Sequence, residues 1–317
     1  MFNRPAESLS KLNLDKTHLI IDRLPELDMS HVFYITGASG AAEPYNRYAD
    51  RNNITRRMNV ISFLGQLTHF CQTGKNLQYS PQYEVKIKQK KFVCFNKTHK
   101  GHRAYMLARM LENGLINESF YSFEGAWPEW INQLSPNYDW APIIKQQIEK
   151  HRHLFPIRLN ITDDRVNPVQ FDIDDLRYHD NSYFSVINET IFYKNGMNRS
   201  GMYDHEDAIF FTEKIARPLD MMHPFILAAL SHSLKELRNM GFKTFHPYID
   251  ESYDSEEDDD KRLGMIIKEI ERLCSFTDSE WIIWQTDIKP IVEHNYQNLL
   301  LLSNCYDKTN AEKMFVN

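Results

Sequence analysis

Short apolar runs alternate along the middle of the chain with longer segments whose apolar positions have helical spacing. Residues 92–95 and 182–190 are rich in aromatic and β-branched side chains, and residues 225–230 are wholly apolar, as is typical of buried strands. Residues 104–111 have apolar positions at helical spacing, and Gly114 follows as a stop signal. Strands that alternate with helices predict an α/β fold.

The N-terminal third shows the same kind of pattern with shorter signals. Residues 17–21 and 31–36 predict two strands, and residues 60–71 predict a helix. Residues 82–91 alternate and then become lysine-rich, which is typical of a basic patch or of an exposed edge strand protected by its charges, and we favour the edge strand. Two amphipathic helices are predicted at residues 263–274 and 288–303.

The most informative stretch covers residues 210–254 and opens with Thr212, Glu213 and Lys214. An apolar run leads into this charged pair, and a helical segment follows it. An acid beside a base at the start of a helix suits a ligand that carries both hydroxyl and phosphate groups. Glu189, at the end of the strand predicted over residues 182–190, is a second carboxylate that can bind sugar hydroxyls.

A second polar cluster lies between the strand at residues 92–95 and the helix at residues 104–111. Backbone amides and the helix dipole at a helix start favour an anion, so a diphosphate is the expected ligand. The alternative is that Lys97 and Arg103 only cap the sheet or pair with acidic loops. The polar side chains of this cluster are Asn96, Lys97, His99, Lys100, His102 and Arg103.

Composition narrows the function classes. The 317 residues, of 37.6 kDa, give room for two domains or one large one. The net charge of -6 and the pI near 6.1 do not demand a nucleic-acid partner. The four cysteines lack metal-site spacing, and no apolar segment reaches membrane-spanning length, so we expect a metal-free cytoplasmic protein without a membrane span. The acidic run at residues 250–262 is interpreted as a solvated loop and helix start.

The order of these segments across residues 91–270 resembles glycosyltransferase-like proteins of large viruses and tailed phages. The Thr212-Glu213-Lys214 segment, followed by a helix and an apolar run after a proline, is similar to the donor-binding segment of the α-1,3-fucosyltransferases. The resemblance implies the GT-B fold, in which two Rossmann-type domains face a cleft. The corresponding division is an acceptor-side domain at residues 1–88 and a donor domain with C-terminal helices at residues 89–317.

The resemblance also implies a function: metal-independent transfer of a sugar from a nucleoside-diphosphate sugar to a hydroxyl group. The acceptor is a glycan or a modified base in viral DNA, and the compartment of a viral enzyme is the host cytoplasm. By the same resemblance, Glu213 holds donor hydroxyls, Lys214 lies beside the diphosphate, and Glu189 is near the same pocket. The remaining residues implied in donor binding are Asn96, Lys97, Arg103, Thr212 and Arg217.

Several alternatives stay open at this point. The catalytic base is unknown, and its candidates are Glu43, Asp50 and His69. The Arg217-Pro218 pair departs from the fucosyltransferase pattern, so the donor sugar is not transferable from the resemblance. A non-catalytic nucleotide- or glycan-binding module and a virion structural protein are the competing functions.

Overall fold

A computed structural model describes residues 11–36, 39, 41–62, 81–96, 100–123, 141–159, 173–193 and 209–305. The chain divides into two compact units. The first unit comprises Met1–Gln66 and Tyr193–Phe211, and the second comprises Leu67–Phe192 and Thr212–Asn317. Both contain helices and parallel strands, so the α/β class predicted from the sequence is confirmed, while the GT-B pairing stays a prediction.

The first unit is built on two parallel strands, β1 (Phe33–Thr36) and β2 (Asn59–Ser62). Helix α1 (Lys11–Asp22) precedes β1, and helix α2 (Ala42–Arg51) connects β1 to β2. A short 3-10 helix, Met29–His31, leads into β1. The predicted strand at residues 31–36 is therefore confirmed as β1.

Two N-terminal predictions are wrong. Residues 17–21 belong to α1, where Leu14, His18 and Ile21 are buried at helical spacing in the core of the first unit. Residues 59–62 form β2 instead of the start of a helix, because they pair with β1 along its whole length. The rest of the predicted helix, residues 63–71, lies outside the described residues.

The second unit contains a parallel sheet of β3 (Lys90–Asn96), β4 (Ser119–Phe123), β5 (Ser182–Asn188) and β6 (Phe225–Ala228). The strand order is β4-β3-β5-β6, and every neighbouring pair is parallel. The strands predicted at residues 92–95, 182–190 and 225–230 are confirmed as β3, β5 and β6.

The α-helices of this unit pack against the sheet and against one another. Their apolar packing includes a ring stack between Trp281 and Tyr183, whose centroids are 4.0 Å apart. The short 3-10 helices of this unit are Leu115–Glu118, Arg152–Leu154 and Ser252–Ser255. The α-helices are α3 (Gly101–Glu112), α4 (Ala141–Lys150), α5 (Ile173–Asp180), α6 (Glu213–Asp220), α7 (Ser233–Asn239), α8 (Asp259–Cys274) and α9 (Asp278–Cys305).

The helices predicted at residues 104–111, 263–274 and 288–303 are confirmed as parts of α3, α8 and α9. Gly114, after α3, has φ +72°, the left-handed conformation expected of a residue beyond a helix end. Within the described ranges, no helix combines the length and the apolar character needed to cross a membrane.

The segment before β3 differs from the predicted edge strand. Residues 81–89 form no strand, and β3 itself lies between β4 and β5, so its lysines do not protect an edge. This segment is tied to the second unit: Gln285 Nε2 donates to the Lys86 carbonyl at 2.9 Å, and the Lys88 amide donates to Tyr183 at 3.0 Å. These bonds attach residues 86 and 88 to the second unit, whereas the donor domain expected from the sequence starts at residue 89 and stays a prediction.

Candidate functional site

The strand order of the second unit creates a switch point between β3 and β5. From β3 the chain continues to β4 on one side, and from β5 it continues to β6 on the other side. In open parallel sheets, ligands bind in the crevice beyond the carboxyl ends of two such strands. Asn96 ends β3, Glu189 follows β5, and helices α3 and α6 begin after these two strands. The two polar clusters of the sequence therefore meet at one place in the fold.

Helix α3 begins at this place without a side-chain cap. Its N-cap residue, Lys100, has an extended backbone, and its side chain makes no capping hydrogen bond. The Lys100 ammonium instead donates to the main-chain carbonyl of Thr190 at 2.8 Å. The first amides of a helix lack intrahelical partners and attract anions, and here they have an ammonium group beside them.

Helix α6 begins with Thr212 as its N-cap, whose hydroxyl oxygen accepts the Lys214 amide at 3.3 Å. The Lys214 ammonium donates to the hydroxyl oxygens of Thr212 at 2.9 Å and Thr190 at 3.3 Å. It also pairs with the Glu213 carboxylate at 3.1 Å. Both members of this ion pair are about a quarter exposed, so a ligand can reach them.

The Glu189 carboxylate is fully buried and is already occupied by protein donors. It accepts hydrogen bonds from the Thr212 amide at 3.1 Å, the Thr212 hydroxyl at 2.6 Å and the Thr190 amide at 3.2 Å. These bonds join the end of β5 to the start of α6. In this structure Glu189 positions its neighbours and does not present a free carboxylate to the crevice.

Arg103 is also buried, and its guanidinium faces the main chain. Its Nη2 donates to the carbonyl oxygens of Asn188 at 3.0 Å and Glu189 at 3.3 Å. The same helix brings His102 Nε2 to 3.2 Å from the Glu189 carbonyl. Arg103 therefore contributes positive charge to the site while it fastens α3 to the end of β5.

The other implied donor-binding residues lie around this centre. Asn96 is buried beneath the crevice, where its Oδ1 accepts from Asn188 Nδ2 at 3.1 Å and its own Nδ2 contacts Cys94 Sγ at 3.2 Å. Arg217 on α6 is partly buried, with its guanidinium 5.6 Å from the ring centroid of Phe95. Lys97 lies outside the described residues.

The electrostatics of the site are dominated by three cations. Burial, together with the nearby charges of Arg103 and Lys214, lowers the pKa of Lys100 to about 8, whereas the Glu189 carboxylate acts in the opposite direction. Against these cations stand the carboxylates of Glu189 and Glu213. The described side chains thus leave a positive surplus at the carboxyl end of β5, which suits an anionic ligand.

The catalytic-base candidates are located in the first unit or outside the described residues. Glu43 on α2 pairs with Arg47 at 2.6 Å, and Asp50 pairs with Arg57. Both carboxylates are well exposed. His69 lies outside the described residues. Among the residues that the structure describes, no three or more His, Cys, Asp or Glu side chains group as metal ligands.

Two features of the second unit were not assigned from the sequence. Thr190 accepts a hydrogen bond from Lys100 through its carbonyl oxygen and one from Lys214 through its hydroxyl oxygen. In the sequence, the only feature that marks Thr190 is its position directly after the acid at the end of a predicted strand. A separate open cavity of about 710 Å³ involves none of the predicted site residues. It is lined by Arg238, Phe242, Lys243, Thr244, His246, Asp250, Glu251, Ser252 and Ile291.

Comparison of the chain with protein-family models, with curated proteins and with solved structures found no match. The resemblance to fucosyltransferase-like proteins therefore stays a prediction. The site geometry stands independently of it.

Proposed function

We propose that this protein is a glycosyltransferase that moves a sugar from a nucleoside-diphosphate sugar to a hydroxyl acceptor. The observation that supports this most directly is the meeting of Lys100 and Lys214 at Thr190, beyond the carboxyl ends of β3 and β5. A diphosphate at this place would lie against two ammonium groups and the first amides of α3.

The proposed reaction uses these groups in the transition state. Negative charge builds on the departing nucleoside diphosphate, and cations that are already in position stabilise it without reorganisation. Lys214 and Lys100 supply that charge, and they can do so without a metal ion. Glu213, beside Lys214, is placed to accept hydrogen bonds from hydroxyls of the donor sugar.

The acceptor in this proposal is a glycan or a hydroxylated base in DNA. Its hydroxyl needs a base, for which Glu43, Asp50 and His69 are the proposed candidates. The net charge of -6 favours the glycan over DNA, because DNA binding relies on cationic contacts with phosphates.

The test is a binding and turnover screen with UDP-, GDP- and CMP-sugars, read by thermal shift and by donor hydrolysis. For the donor that binds, Lys214→Ala should weaken binding about tenfold or more, because a charged hydrogen bond to phosphate is lost. Lys235→Ala, at an exposed position on α7, is the matched control and should bind like the wild type. Equal donor affinity in wild type and Lys214→Ala would refute the proposal.

A non-catalytic nucleotide- or glycan-binding module is the second candidate. The observation in its favour is that Arg103 and Glu189 are both bonded to neighbouring protein groups, which leaves fewer free charged groups for chemistry. Donor binding that depends on Lys214, with no hydrolysis or transfer to any acceptor, would favour this module. Stable assembly without any nucleotide binding would instead favour a virion structural protein.

A further inference from the structure

The environment of Lys100 is unusual for a lysine side chain. It is partly buried, and its ammonium donates to the Thr190 carbonyl at 2.8 Å. It makes no ion pair with any residue that the structure describes. The charged groups that act on it are Arg103 on its own helix, Lys214 at the start of α6, and Glu189 after β5.

Glu189, the acid whose charge acts on Lys100, is bonded to other groups. The Glu189 carboxylate accepts from Thr212 and from the Thr190 amide, and the Glu213 carboxylate pairs with Lys214. Lys100 is therefore close enough to feel the charges of Arg103 and Lys214, and it forms no ion pair with a carboxylate among the described residues. Burial and neighbouring positive charge both favour the neutral amine over the ammonium. A neutral amine is the nucleophilic form of lysine.

We propose that the Lys100 amine is a nucleophile that condenses with aldehydes carrying a phosphate group. Lys214 and the first amides of α3 hold the phosphate, so the inference rests on the anion site of the proposed function. The nitrogen lone pair attacks the carbonyl carbon and forms a carbinolamine, which loses water. One amine and one aldehyde give one imine and one water, and no oxidant or reductant is consumed.

The size of the effect follows from the fraction of neutral amine. With a pKa of about 8, about a quarter of Lys100 is neutral at pH 7.5. An ordinary lysine, with a pKa of about 10.4, is neutral to only about 0.1% at the same pH. Lys100 should therefore react at least about tenfold faster than an exposed lysine such as Lys235.

Lys88 provides a control for basicity alone. Burial also lowers its pKa to about 8, and its ammonium likewise donates to a main-chain carbonyl, that of Asp180 at 2.8 Å. Lys88 precedes β3, whereas Lys100 follows it, so the two lysines flank opposite ends of the same strand. An aldehyde whose reactivity depends only on the fraction of neutral amine should label both lysines. An aldehyde that also uses the phosphate site should select Lys100.

The experiment labels the intact protein at pH 7.5 with pyridoxal 5′-phosphate or with pyridoxal. Borohydride then traps the imine, and peptide mass spectrometry quantifies Lys100, Lys88 and Lys235. We expect pyridoxal 5′-phosphate to label Lys100 at least about tenfold faster than Lys88, and pyridoxal to show no such preference. Pyrophosphate should protect Lys100 and leave Lys88 unprotected. Lys214→Met should slow labelling of Lys100 by the phosphate reagent only.

The proposal would be overturned if the phosphate reagent labelled Lys100 no faster than Lys88. It would also be overturned if pyridoxal showed the same preference for Lys100 as pyridoxal 5′-phosphate. Lys100→Arg should remove the labelled peptide and leave the melting temperature unchanged, which verifies the assignment. The result is separable from the glycosyltransferase proposal. Selective labelling of Lys100 in a protein that binds no nucleotide sugar would retain this inference and reject sugar transfer.

Discussion

The Glu189 carboxylate holds Thr212 by both its main-chain amide and its hydroxyl, at 3.1 and 2.6 Å. The same hydroxyl oxygen accepts the Lys214 ammonium at 2.9 Å. A buried acid at the end of β5 thus sets the position of a partly exposed cation at the start of α6. The acid that the sequence assigned to sugar hydroxyls is, in the structure, bonded to the residue that supports Lys214.

Glu189→Gln should therefore destabilise the second unit. In glutamine, an NH₂ group replaces one of the two carboxylate oxygens that accept hydrogen bonds from three protein donors. At least one buried donor then loses its acceptor, at a cost of about 1–3 kcal/mol. Urea unfolding measures this loss. Glu213→Gln, which changes a partly exposed ion pair, is the control and should cost less than about 1 kcal/mol. Similar losses of unfolding free energy in both variants would contradict the role of Glu189 in connecting the end of β5 to the start of α6.

The sequence was sufficient for the elements whose signals are local. The apolar runs of β3, β5 and β6 are each long enough to indicate a buried strand, and α3 shows its helical spacing within two turns. The strand prediction for residues 17–21 was wrong because it rests on a window of only five residues. The helical spacing of the buried positions Leu14, His18 and Ile21 becomes visible only over eight residues.

The site was predictable in place but not in the direction of its side chains. Parallel strands bring their carboxyl ends to one edge, so the clusters around residues 96–103 and 212–214 had to meet if β3 and β5 were neighbours. The Arg103 side chain points to the carbonyls of Asn188 and Glu189, and this direction depends on how closely α3 packs on β5. No local pattern encodes that distance.

Arg262→Lys should be strongly destabilising, although the charge is kept. The Arg262 guanidinium is buried and donates to three main-chain carbonyls, of Ala229 at 3.1 Å, Glu256 at 2.9 Å and Phe192 at 2.7 Å. A lysine ammonium lacks the planar fork that reaches all three, so we expect a loss of about 2–4 kcal/mol in unfolding free energy. Arg109→Lys, in a surface pair with Glu112, is the control and should stay within about 0.5 kcal/mol. A small loss for Arg262→Lys would show that one of these bonds suffices.

Stability should fall as the pH drops below about 6.5, in part because His223 is buried as a neutral ring. Burial and the neighbouring His179 hold the pKa of His223 well below its usual value. Its two nitrogens contact the Ser185 hydroxyl at 2.7 Å and the Ser182 carbonyl at 2.9 Å. The unfolded chain then binds the proton more readily than the folded one. The contribution of His223 is complete above the unfolded pKa and is lost below it, by up to about 1.4 kcal/mol per pH unit.

Urea unfolding between pH 5 and pH 8 measures that slope. His223→Gln should flatten it relative to the wild type, whatever the variant costs at pH 8. His246→Gln, at an exposed position, should keep the slope of the wild type. An unchanged slope in His223→Gln would assign the acid sensitivity to other groups.

Asp254→Ala should weaken the start of α7, because this residue caps the helix from outside its own sequence. The Asp254 carboxylate accepts the amides of Leu234 at 2.8 Å and Lys235 at 3.0 Å, whereas the N-cap residue His232 makes no side-chain cap. Asp254 is buried, so the interpretation of residues 250–262 as a solvated loop and helix start is wrong at this position. Loss of the cap should cost about 1–2 kcal/mol by urea unfolding. Asp254→Asn keeps one acceptor and should recover about half of that loss, whereas equal stability of Asp254→Ala and the wild type would show that the cap is dispensable.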